Sequence, residues 1–128
     1  MNTAYVDTSC LVAVAFEEPP GRKVARQLEG FERLVSSNLL EAEFRAALAR
    51  ETREASPPDF LGAIAWVLPN RPLTEELQRV LSLGTLTGAD AWHLACALFL
   101  DPGCRELVFL TLDRAQAGIA ARLGFRSR

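Results

Sequence analysis

Short apolar runs in this chain alternate with longer stretches in which apolar residues recur every three or four positions. "TAYV" reads as a short buried strand, "RLVSS" as a second and "ELVFLTL" as a third. Helical periodicity runs from about Thr8 to Phe16, through "RKVARQLEGF", and through "NLLEAEFRAALARET", with "EEPPG" breaking the first from the second. "SPP" at 56–58 and "PNRP" are further breaks, and the stretch between them, "DFLGAIAWVL", reads as helical. "LTEELQRVLSLG" is amphipathic and meets a stop at Gly84, whereas "GADAWHLACALFL" is helical and almost wholly apolar. "DRAQAGIAARLG" predicts a last helix, and the tail "FRSR" offers one more strand.

Short apolar strands separated by helices predict the α/β class: a central parallel sheet covered on both faces, in a three-layer α/β/α sandwich. Right-handed crossovers then bring the carboxyl ends of the strands to one edge, where open α/β sheets bind their ligands. With 128 residues the expectation is a single domain spanning 1–128. A composition of 49% hydrophobic and 23% charged residues fits a soluble globular protein. No apolar run reaches the ~18 residues of a membrane span, and "MNTAYVDTS" lacks the basic start and apolar stretch of a secretion signal. The expectation is therefore a cytoplasmic protein with no membrane partner. Cys10, Cys96 and Cys104 are odd in number, match no zinc spacing and sit among apolar residues, which reads as small core residues or free thiols. The formal charge of −2 argues against coating nucleic acid through bulk positive charge, although one local patch would suffice for an enzyme. Lys23 is the only lysine among the fourteen basic residues, and the rest are arginines, which suit bidentate phosphate contacts.

The candidate chemistry is acidic. In "AYVDTSCLVA" a carboxylate, Asp7, stands in the middle of a segment about to be buried, where it must neutralise, pair or bind a cation. Asp113 follows the strand "LVFLT" in the same way, so both aspartates project from the ligand-binding edge. Each also suits the cap of the next helix, and Asp113 with Gln116 has capping-box spacing. Asp90 shares a helical stripe with Ala91, Leu94, Ala97 and Leu98, which places it on the core-facing side of a helix with almost no charge. Glu41 and Glu43 flank the stripe Leu40, Phe44, Ala47 and Leu48 on opposite sides; Glu41 can close a capping box with Asn38, and periodicity does not separate the two. His93, the sole histidine, reads as a hydrogen-bonded core residue, and Trp66 and Trp92 as packing residues. No nucleophile triad and no Gly-rich phosphate loop is present in the sequence.

Four segments, "YVDTSCLVAVAFEEP", "SSNLLEAEFRAAL", "GADAWHLACAL" and "LVFLTLDRAQAGIAARLGF", occur in the order found in PIN domains and cover nearly the whole chain. The chain resembles that family, and within it the VapC ribonuclease toxins of toxin–antitoxin pairs. The resemblance implies an acidic site of Asp7, Glu43, Asp90 and Asp113, and so selects Glu43 over Glu41. It further implies a parallel sheet between helices, an RNA substrate cut to 5′-phosphate and 3′-hydroxyl ends, a homodimer and a cognate antitoxin that blocks the groove. Thr87 stands where many relatives carry a basic residue, and Trp92 where they carry a smaller or aliphatic one.

Two carboxylates about 4 Å apart repel by roughly 4 kcal/mol at an effective dielectric near 20, so four in one pocket need a cation or protons. All-oxygen ligands favour Mg²⁺ or Mn²⁺. Asp7, Asp90 and Asp113 are the expected metal ligands, and Glu43 is expected to orient or deprotonate the attacking water. Arg45, Arg50, Arg53 and Arg114 are the candidates for holding RNA at the rim. One rival is a phosphoacceptor or phosphatase-like domain, which needs a lysine at the phosphate; Lys23 lies in a predicted peripheral helix. The other is a catalytically silent PIN fold that binds RNA or a partner. Its mark would be a missing acid, and none is missing.

Overall fold

The computed structural model describes residues 2–52 and 59–127. Four parallel strands, β1 (Thr3–Val6), β2 (Arg33–Ser37), β3 (Ile64–Val67) and β4 (Leu107–Leu110), form one sheet in the order β3-β2-β1-β4. Register pairs Tyr5 with Val35 on one side and with Phe109 on the other, so the first strand to be made lies between the second and the last. The helices among the described residues are α1 (Thr8–Ala15), α2 (Gly21–Glu29), α3 (Leu39–Thr52), α4 (Thr74–Leu81), α5 (Gly88–Leu100) and α6 (Arg114–Leu123).

Period-two alternation divides the strand side chains between two cores. Ala4, Val6, Val108 and Leu110 pack with Leu11, Val24, Leu40 and Phe44 of α1, α2 and α3. Tyr5, Val35, Leu107 and Phe109 pack on the opposite face with Val80, Leu94, Ile119 and Leu123 of α4, α5 and α6. This is the three-layer α/β/α sandwich expected from the pattern. Ala91, Ala95 and Ala97 on α5 are fully buried, and small side chains there let the helix lie close to its neighbours. No helix among the described residues is long and apolar enough to cross a membrane.

Two glycines are required by geometry. Gly124 ends α6 with φ +112°, a left-handed turn that satisfies the helix's last carbonyls through its own N–H and that of Phe125. Gly21 starts α2 against the preceding helix, where a Cβ would sit 2.5 Å from the carbonyl oxygen of Ala13.

One predicted helix is a strand. "DFLGAIAWVL" is not a helix: a 3-10 turn, Asp59–Ala63, leads into β3, whose Trp66 lies in register with Ser36. A short apolar run does not reveal its period; its β-branched and aromatic residues were the better guide. α4 ends at Leu81, three residues before the predicted stop at Gly84. The tail contributes one parallel bridge, Arg126 to Val108, rather than a full strand. The predicted break at 56–58 lies outside the described residues.

Candidate active site

Asp7 follows β1 directly, and its Oδ2 accepts the Ser9 N–H at 3.1 Å to cap α1. Asp113 caps α6 in the same way, its Oδ1 accepting the Gln116 N–H at 2.8 Å. The capping readings of both residues therefore hold. Capping uses one oxygen of each carboxylate and leaves the other. The Asp7 N–H donates to the Leu110 carbonyl, extending the β1–β4 ladder by one step and joining the two strand ends that carry these acids.

Asp90 enters from another direction. α5 runs down to the start of β4, so its amino terminus lies at the carboxyl edge of the sheet. Thr87 caps it, accepting the Asp90 N–H at 3.2 Å, which gives a structural task to the position where relatives were expected to carry a basic residue. Asp90 is half-buried, because its turn lies at the sheet edge, while the rest of its predicted stripe, Ala91, Leu94, Ala97 and Leu98, is buried.

The two glutamates of α3 separate clearly. Glu41 is half-exposed and pairs with Arg45 at 2.8 Å one turn later, rather than closing a box with Asn38. Ser37 Oγ instead accepts the Leu39 N–H at the start of that helix. Glu43 turns inward, and its Oε1 accepts from Thr8 Oγ1 at 2.8 Å and from His93 Nε2 at 2.8 Å. His93 is fully buried, as predicted for a core histidine, with Nδ1 2.8 Å from the Tyr5 hydroxyl and Nε2 3.9 Å from Asp7 Oδ1. Trp92 does more than pack: its Nε1–H donates to Ser37 Oγ at 3.0 Å.

Opposite electrostatic shifts follow from these surroundings. The His93 hydrogen bond, aided by Thr8, holds the Glu43 carboxyl below the usual carboxylate range. Burial raises the Asp90 carboxyl, and the charges of Asp7, Asp113 and Glu43 raise it further against the Thr87 contact. Asp90 thus lies within electrostatic reach of three carboxylates carried by other segments. A raised value means that folded Asp90 binds its proton more tightly than the unfolded chain does. Stability is lost as pH climbs from the ordinary value of 3.8 through the raised one, and the loss is complete at neutral pH. Asp90→Asn should therefore melt about 1–4 °C above wild type at pH 7 in a chelator, with the gap closing near pH 3.5. A lower melting temperature than wild type at pH 7 would refute this account of the charge cluster.

Gln116 ties the acid-bearing segments together. It is fully buried, its Oε1 accepts from Thr111 Oγ1 at 2.6 Å, and its Nε2 donates to the Asp90 carbonyl at 3.1 Å. Thr111 Oγ1 in turn accepts the Asp113 N–H at 3.0 Å and lies 3.3 Å from Asp7 Oδ2. The capping-box spacing located Gln116, but its side chain reaches across to α5 instead of back to Asp113. The roles of Thr8, Tyr5 and Thr111 left no trace in periodicity, since each depends on a partner more than 30 residues away or on a neighbouring strand end.

Among the described residues, no three acidic, histidine or cysteine side chains are gathered into a ready ion-binding cluster. The donor set nevertheless fits a hard cation: it is all carboxylate, and Mg²⁺ characteristically takes one or two protein carboxylates while keeping several waters. Arg50 and Arg114 are exposed, Arg45 is held by Glu41, and Arg53 lies outside the described residues. A cavity of about 460 Å³ runs from Thr3, Arg33 and Leu107 along β3 to Leu68, and none of the four candidate acids lines it. Cys10, Cys96 and Cys104 are buried free thiols, as expected; burial pushes Cys10 up to about 12 and Cys96 to about 11, so neither supplies a nucleophile.

A comparison with curated proteins returns no match. The sequence profile of the PIN domain, however, matches residues 4–121, from the first strand into the last helix. PIN domains are typically metal-dependent nucleases, which supports a hydrolase reading in general terms. Over nearly its full length this chain, with its four-stranded parallel sheet, belongs to the PIN domain family.

Proposed function

We propose that the chain is a divalent-metal-dependent endoribonuclease of the VapC-like toxin kind, acting in the cytoplasm on RNA and restrained by a cognate antitoxin. The observation that carries the reading is the convergence of the acid-bearing segments: Asp7 and Asp113 cap α1 and α6 at joined strand ends, Gln116 ties the second of these to the Asp90 carbonyl, and Asp7 and Glu43 both lie against His93. Such a cluster is tolerable beside a cation and costly without one. In this reading Asp7, Asp90 and Asp113 hold the ion, Mg²⁺ or Mn²⁺. When bound, the ion supplies a lowered pKa to its water and offsets charge on the phosphate.

The chain's own groups do the rest. Glu43, kept ionised by His93 and Thr8, is the acceptor that orients the attacking water or takes its proton. Asp7 and Asp113 each give one oxygen to a helix cap, which orients the carboxylate and leaves the other oxygen for the ion. Exposed Arg50 and Arg114 are the described side chains proposed to steer the RNA backbone. A homodimer is part of the same reading. Presence of all four acids favours this enzyme over a silent RNA- or partner-binding module.

The test is direct. Purified protein incubated with RNA should cleave it in Mg²⁺ or Mn²⁺, leave 5′-phosphate and 3′-hydroxyl ends, and stop when a chelator is added. RNA that is retained but left intact across all divalent ions would establish the silent module instead.

A further inference from the structure

The Tyr5–His93 pair is fully buried beneath the acids. Its hydrogen bonds can be assigned by donor and acceptor capacity. A carboxylate only accepts, so the 2.8 Å contact with Glu43 Oε1 requires a hydrogen on His93 Nε2. On the other side of the ring the Tyr5 hydroxyl oxygen accepts the Ser37 N–H at 3.0 Å and keeps one hydrogen to give. A phenol keeps its hydrogen at neutral pH, and Nδ1 lies 2.8 Å away as its acceptor. Stacking on Phe109, 5.2 Å between ring centres, holds the tyrosine in place.

The consequence falls on Glu43. Its Oε1 receives both Thr8 and His93, whereas Oε2 has no protein hydrogen bond among the described residues. We propose that His93 is a positioning residue: Tyr5 fixes its ring as the Nε2–H tautomer, and that N–H pins Glu43 Oε1 so that Oε2 alone serves the attacking water. This rests on the nuclease reading for the role of Glu43, but the assignment of the ring does not.

Two substitutions separate the ends of the ring. The amide nitrogen of glutamine reaches as far as Nε2 and restores a donor toward Glu43. Asparagine reaches only as far as Nδ1 and keeps a partner for Tyr5 alone. His93→Asn should lower kcat about 10–100-fold with KM for RNA unchanged, and His93→Gln should recover most of that loss. Equal kcat in the two folded variants, or a change confined to KM, overturns the proposal.

The single histidine also makes the assignment readable in solution. Two-bond proton–nitrogen correlation on ¹⁵N-labelled wild type should show hydrogen on Nε2 and none on Nδ1. Should neither variant fold, this spectrum decides, and a proton on Nδ1 overturns the tautomer and the proposal with it. A wild-type protein that shows the Nε2–H form yet cuts no RNA would defeat the nuclease reading and leave the ring assignment standing.

Discussion

Asp7→Asn should abolish metal-dependent RNA cleavage, lowering the rate at least a hundredfold, while the protein stays folded. Asparagine caps helices as well as aspartate does, and its side-chain oxygen can still accept the Ser9 N–H at the start of α1. What disappears is the negative charge. Loss of a residue that merely orients a metal ligand costs 10–100-fold, so loss of a ligand's charge sets that range as its floor. Two measurements on one preparation separate the roles: initial cleavage rate in Mg²⁺, and melting temperature in a chelator. A rate near wild type would reduce Asp7 to a helix cap and remove the basis of the nuclease assignment. A collapse of stability with the rate would instead tie the carboxylate to the fold.

The second large effect lies in the core. Phe109→Ala should lower stability by about 3–5 kcal/mol and the melting temperature by roughly 10–20 °C. Phe109 is 1% exposed, stacks on Tyr5 and packs against Phe125 at 6.1 Å between ring centres. Its removal opens a void between the sheet and α5 and α6 that the neighbouring strands cannot close without shifting. A domain typically holds only 5–15 kcal/mol in reserve, so this one truncation uses a large part of it. Tyr5 also loses the surface that fixes its ring, and activity should fall at temperatures well below the new melting point. Thermal unfolding followed beside the cleavage rate checks both statements. A melting temperature within a few degrees of wild type would show that the two aromatic rings are not the centre of this core.

The α/β class was legible because it rests on period: short apolar runs separated by amphipathic stretches have few alternatives. Asp7, directly after β1, and Asp113, three residues past the end of β4, were legible for a related reason, since a carboxylate that soon after a buried strand has a defined place in a parallel sheet. β3 was misread because "AIAWV" is too short to display a repeat and lies inside a longer apolar stretch. Glu43 was not separable from Glu41 by periodicity; the deciding facts are His93 and Thr8 on one side and Arg45 on the other. Gln116 had been given a local task by its spacing, and only the packing of α5 against α6 shows the longer reach of its side chain. Interactions between distant segments are what a single sequence leaves out, and the candidate site is made almost entirely of them.

The sheet order has a consequence for the newborn chain. β1 emerges from the ribosome first, yet one of its two neighbours is β4, made about 100 residues later. At ordinary elongation rates of about 5–20 residues per second, Asp7 waits roughly 5–20 s for Asp113 to be made and for Leu110 to accept its N–H. Until β4 is made and paired, the growing polypeptide has no complete acidic edge, and truncation ahead of β4 would leave the Asp7 N–H without its Leu110 acceptor.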